Sequence, residues 1–212
     1  MRNAIPLLVG LGLILLTACE EPDVERDTDA PRETPTSTGD GLWQALQEHC
    51  GEAFEGTVVK HRDGDQAFVE GPVLVHFRKC EDTRILAPLA VGENLSRTWV
   101  LKRDPDGVSL RHEHRGEDGY PETLSGYGGL ARPPASEALL EFPADDRTVT
   151  MLPDAVAGIW TLGVEDNTLI YQVRREGTDR IFRVEFDLED PVEPPDAPWG
   201  WEQVVEGSPG RP

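Results

Sequence analysis

The stretch Ser96–Gly119, SRTWVLKRDPDGVSLRHEHRGEDG, decides the reading of the chain. Two alternating runs flank Asp104-Pro105-Asp106-Gly107, a turn composition that joins antiparallel strands. Centring the turn there pairs Arg103 with Val108, Leu101 with Leu110, Trp99 with His112 and Arg97 with His114. Val100 then faces Arg111, and Thr98 faces Glu113, on the opposite side. Side chains alternate along a strand, so loop variants of even length keep this parity. One face grades from apolar Leu101 and Leu110, through Trp99 and His112, to polar His114 and Arg97. In a barrel, that is a cavity wall turning polar towards one mouth.

The same alternation continues on both sides of the hairpin. It predicts strands over 55–61, 71–80, 83–86, 97–103, 108–115, 123–130, 139–142, 159–164, 168–175 and 180–188, with turn residues between them. In the last strand Phe182, Val184, Phe186 and Leu188 share one face, and Ile181, Arg183, Glu185 and Asp187 share the other. Near the start, Asp40 is placed as the cap of a short helix over 41–50, with Leu42 and Leu46 on one side and Gly51 as its stop. A short helical turn fits within 147–157. The fold class is mainly β: an antiparallel barrel or calycin-like, lipocalin-like meander with an N-terminal helix, a β-sandwich being the alternative. Closure removes exposed sheet edges.

Residues 1–18 have a positive start and a short apolar run, the anatomy of a secretory signal. The run is shorter than the ~20 residues of a membrane span. Residues 19–40 supply almost no large apolar side chain and predict a disordered acidic tether. The β domain is assigned to 41–190, and the Pro-rich 191–212 to a strap over it ending in a loose tail. The net charge of −20 argues against a nucleic-acid partner, whose phosphates need a basic footprint. Lysine occurs only at Lys60, Lys79 and Lys102, a bias that fits either a salty environment or a high-GC genome.

Leu16-Thr17-Ala18-Cys19 resembles the lipobox of bacterial lipoproteins. The resemblance implies cleavage before Cys19, a diacylglyceryl group on its thiol and an acylated N-terminus. The lipid bilayer then becomes a partner through that anchor. Glu20 is not the Asp that retains such proteins in the inner membrane of enteric bacteria, which points to the outer membrane, facing the periplasm. With Cys19 assigned to lipid, Cys50 and Cys80 have one pairing left, and exported domains form disulfides. The blocks RTWVL, LRHEHRGEDG, YGG, EFPAD and FRVEFDL are similar to a group of uncharacterised proteobacterial envelope proteins, over most of 41–200. That resemblance implies fold and export, and supplies no activity.

The chemistry-bearing residues concentrate in the hairpin. His112 and His114, two apart on a strand, have the spacing of metal ligands, with Glu117 and Asp118 following. The candidate pocket is Trp99, Arg97, Leu101, Leu110, His112 and His114. Ser125 is not in a nucleophile elbow, and LSGYGG is neither a Walker loop nor a dinucleotide fingerprint. Its glycines fit a bend or a close backbone approach. No catalytic constellation emerges and no cofactor is expected, a metal at the histidine pair excepted. Three roles remain open: a non-enzymatic binding module for a small apolar ligand or envelope component, a metal-binding protein or metal enzyme, and a structural module with a filled core.

Overall fold

The computed structural model describes residues 39–136 and 139–201. The predicted signal segment, Cys19, the linker up to residue 38 and the tail from residue 202 lie outside them. The elements in order are α1 (Asp40–Glu48), β1 (Ala53–Lys60), α2 (Gln66–Val69), β2 (Val73–His76), β3 (Lys79–Cys80), β4 (Arg84–Val91), β5 (Asn94–Asp104) and β6 (Gly107–His114). They continue with β7 (Tyr127–Leu130), β8 (Arg132–Ser136), β9 (Leu139–Pro143), α3 (Asp146–Met151), a tight helical turn Pro153–Ala155, β10 (Gly158–Glu165), β11 (Thr168–Arg175) and β12 (Ile181–Val192).

The β5–β6 hairpin has the register that the sequence predicts, from Arg103↔Val108 through Leu101↔Leu110 and Trp99↔His112 to Arg97↔His114. From this hairpin the sheet extends in the order β7-β6-β5-β4-β2-β1-β12-β11-β10-β9-β8, antiparallel throughout, with β3 added on β4. The sheet is nearly closed into a barrel. Ala131 alone separates β7 from β8, so one segment pairs with β6 by its first half and with β9 by its second.

Backbone fit makes the seam work. A Cβ on Gly128 would lie 1.9 Å from the Leu110 carbonyl oxygen, and one on Gly129 would lie 1.8 Å from that of Pro143. These glycines therefore permit the close approach expected of the YGG run. The Thr148 hydroxyl donates to the Gly128 carbonyl at 2.7 Å and accepts the Gly128 N–H at 2.7 Å. Asp145 caps α3 through the Thr148 N–H and donates its own N–H to the Gly128 carbonyl. α3 thus supplies bonds that a neighbouring strand would otherwise make. Thr148 is fully buried. Thr148→Val is expected to strand the Gly128 N–H and to lower stability by about 2–4 kcal/mol in urea unfolding, with Thr148→Ser recovering most of the loss.

Asp145 also pairs with Arg111 at 2.6 Å. Burial opposes ionisation of this carboxyl, but the bonds from Arg111 and Thr148 outweigh it and hold the pKa down to about 2 from 3.8. The unfolded chain therefore takes up this proton first as pH falls. The stabilisation is whole above 3.8 and is lost as pH falls through about 2. The urea midpoint is expected to drop over that window, and Asp145→Asn to remove that part of the drop.

The interior is filled. Inward residues of nearly every strand join one cluster that includes Phe54, Val75, Trp99, Leu101, Leu110, Phe142, Trp160, Val184 and Phe186. α1 adds Leu42, Trp43 and Leu46 and lies across the end carrying the β5–β6 turn. There Asp40 pairs with Arg103, whose guanidinium lies 6.0 Å from the Trp43 ring. The helix cap differs from the sequence expectation. Gly39 is the N-cap in a left-handed conformation, and the Asp40 carboxylate is turned to Arg103 instead of capping.

Other boundaries also differ. The strand expected over 71–80 is interrupted after His76, where Phe77 turns into the core. The strand expected from residue 123 begins only at Tyr127, because Arg115 bridges to Pro121 across a loop. α2 and β8 had no sequence signal; two prolines in β8 argue against a strand. Cys50 and Cys80 form the expected disulfide, tying the end of α1 to β3. Beyond β12 the chain runs back over the outer face of β5. The Trp199 N–H donates to the Leu95 carbonyl, Pro198 is buried, and the Arg115 guanidinium lies 4.7 Å from the Trp201 ring.

Candidate functional site

The polar end of the hairpin lies six residues along β5 from Arg103, roughly 20 Å from the end that α1 covers. A cavity of about 50 Å³ opens there, lined by Phe68, Leu89, Arg97, Thr98, Trp99, His112, Glu113, His114, Tyr127 and Tyr171. Of the residues that the sequence nominated, Trp99, Arg97, His112 and His114 line it. Leu101 and Leu110 do not; both are fully buried in the core beneath. Glu117 and Asp118 stay in the loop after β6, where the Asp118 carboxylate accepts the Tyr120 N–H.

The floor is an aromatic stack built from opposite walls. Trp99 on β5 stacks on Tyr171 of β11 at 4.4 Å between ring centroids. His112 lies parallel to Tyr127 at 4.9 Å and 5.2 Å from Trp160. The bonding of His112 fixes its tautomer. A carbonyl oxygen only accepts, so Nδ1–H donates to the Tyr127 carbonyl at 3.3 Å, and Nε2 accepts the Tyr171 hydroxyl proton at 2.8 Å. Burial pushes the His112 pKa down to about 3, so the ring is neutral at physiological pH. Burial, with the Arg97 charge behind it, also lowers that of His114. Burial raises the phenols: Tyr127 to about 12, and Tyr171 well above 10.0.

The rim carries the charge. The Arg97 guanidinium donates to the Asn94 amide oxygen at 2.9 Å and lies 5.2 Å from the Phe68 ring. His114 Nε2 and the Tyr127 hydroxyl share a hydrogen bond at 3.0 Å. The Ser125 hydroxyl accepts the His114 backbone N–H, a strand-end contact and not a nucleophile arrangement. Phe68 reaches the rim from α2 and packs 4.9 Å from Phe182. The segment before α2 is anchored by the buried Asp65 carboxylate, which takes two bonds from Arg180 at 2.6 Å and 2.5 Å.

A metal ion at the histidine pair would have to take Nε2 of His112 from Tyr171. Among the described residues no group of three or more His, Cys, Asp or Glu side chains is placed to hold one. Tyr127, Tyr171, Trp160 and Phe68 were not nominated from the sequence. Their one signal is an aromatic ring, in two cases with a hydroxyl; Tyr127 opens the next strand after the hairpin, and the other three lie on elements farther away in the chain.

No family model, curated protein or solved structure matches the chain. Function is therefore read from the chain's own residues. No helix among the described residues is long and apolar enough to cross a membrane.

Proposed function

We propose that the chain is a lipoprotein of the bacterial envelope, anchored through Cys19 and facing the periplasm from the outer membrane. Its β domain acts as a non-enzymatic binding module. The lipobox-like LTAC segment and the polar linker behind it support the anchor. The binding reading rests on one observation: a barrel filled almost throughout keeps a small cavity at one mouth, walled by Arg97, His112, His114, Tyr127 and Tyr171. Sites that enclose a drug-sized molecule run to ~300–1,000 Å³. A cavity of about 50 Å³ suits a small ligand, or the end of an envelope component inserted at the mouth.

The anchor is tested by intact mass of membrane-extracted protein, expected to begin at Cys19 and to carry acyl chains. Acyl mass persisting on Cys19→Ser would contradict it. Binding is tested by thermal shift of the full chain against a small-molecule extract of bacterial envelope, beside His114→Trp, which fills the cavity. A rise in melting temperature for the unaltered chain alone is expected, because a ligand of the native state stabilises it. No rise, or an equal rise in both, contradicts the module. It would favour the second reading, a structural module with a filled core, which the Trp99–Tyr171 stack across the interior supports.

A further inference from the structure

We infer that the mouth pocket selects a carboxylate-sized monoanion, with Arg97 as its charge partner and the His114–Tyr127 pair as a directed donor. The inference rests on the binding-module reading and names its ligand class.

Charge is the first argument. Arg97 is half-buried and makes no ion pair with a carboxylate among the described residues; its side-chain bond goes to the neutral Asn94 amide. Burial lowers its pKa, the direction expected of a cation short of counter-charge. The other titratable groups around the cavity do not supply that charge. His112 is held neutral by burial, His114 is depressed by burial and by Arg97, and both phenols are protonated. Glu122 acts on Arg97 only through its field, and Glu113, which also borders the cavity opposite Thr98, makes no ion pair with Arg97. With a net charge of −20 in the chain, a half-buried guanidinium thus faces the cavity without an ion pair among the described residues.

Donor geometry is the second. Tyr171 spends its proton on His112, so its oxygen is left as an acceptor. Tyr127 and His114 share a bond that runs in either direction, since each is both donor and acceptor. An anion beside Arg97 selects the direction in which His114 Nε2–H donates to Tyr127 and the phenol donates to the anion. A guanidinium fork and a hydroxyl donor together match a carboxylate.

Size is the third. A cavity needs ~10–15 Å³ to hold one water, so about 50 Å³ admits a group of a few heavy atoms. Leu89 and Phe68 add apolar lining beside Arg97, which suits either a free short acid or the carboxylate head of a longer one.

The test titrates the full chain in detergent micelles with sodium acetate, its neutral match acetamide, and sodium octanoate. The His112 and His114 ring resonances and tryptophan fluorescence are followed. Saturable acetate binding is expected, with acetamide at least about tenfold weaker, a difference of ~1.4 kcal/mol. The pKa of His114 should rise on saturation, because a bound anion favours imidazolium. Arg97→Gln should weaken acetate by at least about tenfold, with Arg97→Lys recovering part. Octanoate tighter than acetate assigns the anion to the head of a longer molecule, and weaker assigns it to a free short acid. Acetamide binding as well as acetate, or Arg97→Gln keeping full acetate affinity, overturns the inference and leaves a pocket without charge selection. A flat response to all three probes also overturns it, and the envelope-extract thermal shift then decides whether any binding module remains. Should Arg97→Gln fail to fold, the acetate–acetamide contrast in the unaltered chain decides.

Discussion

Gly129→Ala is expected to cost on the order of 4 kcal/mol or more, a large share of the ~5–15 kcal/mol of a typical domain. The added Cβ would fall 1.8 Å from the Pro143 carbonyl oxygen, which is backbone and cannot swing aside. β7 must then part from β9, and the bond from the Asp145 N–H to the Gly128 carbonyl parts with it. The damage should be local at first. Hydrogen exchange should show lost protection at Asp145 and Ala131, while the β10–β12 meander keeps its own. Gly177→Ala is the control. Gly177 has a positive φ, 74°, which Gly129 does not, and nothing lies within 4 Å of a Cβ added there. It should lose only the left-handed backbone penalty of about 1–2 kcal/mol. Gly129 carries no such backbone penalty, so a loss at Gly129 no larger than that at Gly177 would mean that the β7–β9 seam yields to the added Cβ without opening.

Reduction of the Cys50–Cys80 disulfide, or its replacement by a pair of alanines, is expected to remove roughly 3–4 kcal/mol. The two residues are 30 apart in sequence, with Cα atoms 6.0 Å apart. In the chain-entropy view the bridge limits the unfolded ensemble, and it gains more for a loop of this length than for a short one. It also holds α1 over one end of the barrel, where Leu42 and Leu46 are almost completely buried. Denaturant titration with and without reductant measures the loss. The double-alanine variant, insensitive to reductant, should match the reduced protein. A midpoint unmoved by reduction would show that the packing of α1 alone closes that end.

The hairpin was the most legible part of the chain because one short turn fixes parity, and parity fixes faces. Trp99, His112, Arg97 and His114 follow from Asp104-Pro105-Asp106-Gly107 without any tertiary information. The last strand was legible for the same reason, with Phe182, Val184, Phe186 and Leu188 all buried. What alternation cannot give is which strands face one another across the interior. Tyr171 and Trp160 lie on correctly placed strands, yet their meeting with Trp99 and His112 depends on closure of the sheet. Gradation along one hairpin face also cannot fix depth, so Leu101 and Leu110 were grouped with the pocket although the core absorbs them. Asp40 shows a local rule losing to a tertiary partner: a capping-type residue at a helix start pairs with Arg103 from β5. β8 was hidden because prolines depress any strand reading, and its pairing with β9 is sparse and irregular.

The proposed site requires a neutral, doubly bonded His112 beneath a charged rim, and ¹⁵N NMR of its imidazole tests this most directly. The expected spectrum shows Nδ1 protonated and Nε2 bare, with no titration through the ordinary range near 6.5 and a midpoint at about 3 if the fold survives. A His112 ring that titrates near 6.5, or that carries its proton on Nε2, would contradict the bonds to Tyr127 and Tyr171, and with them the floor of the site.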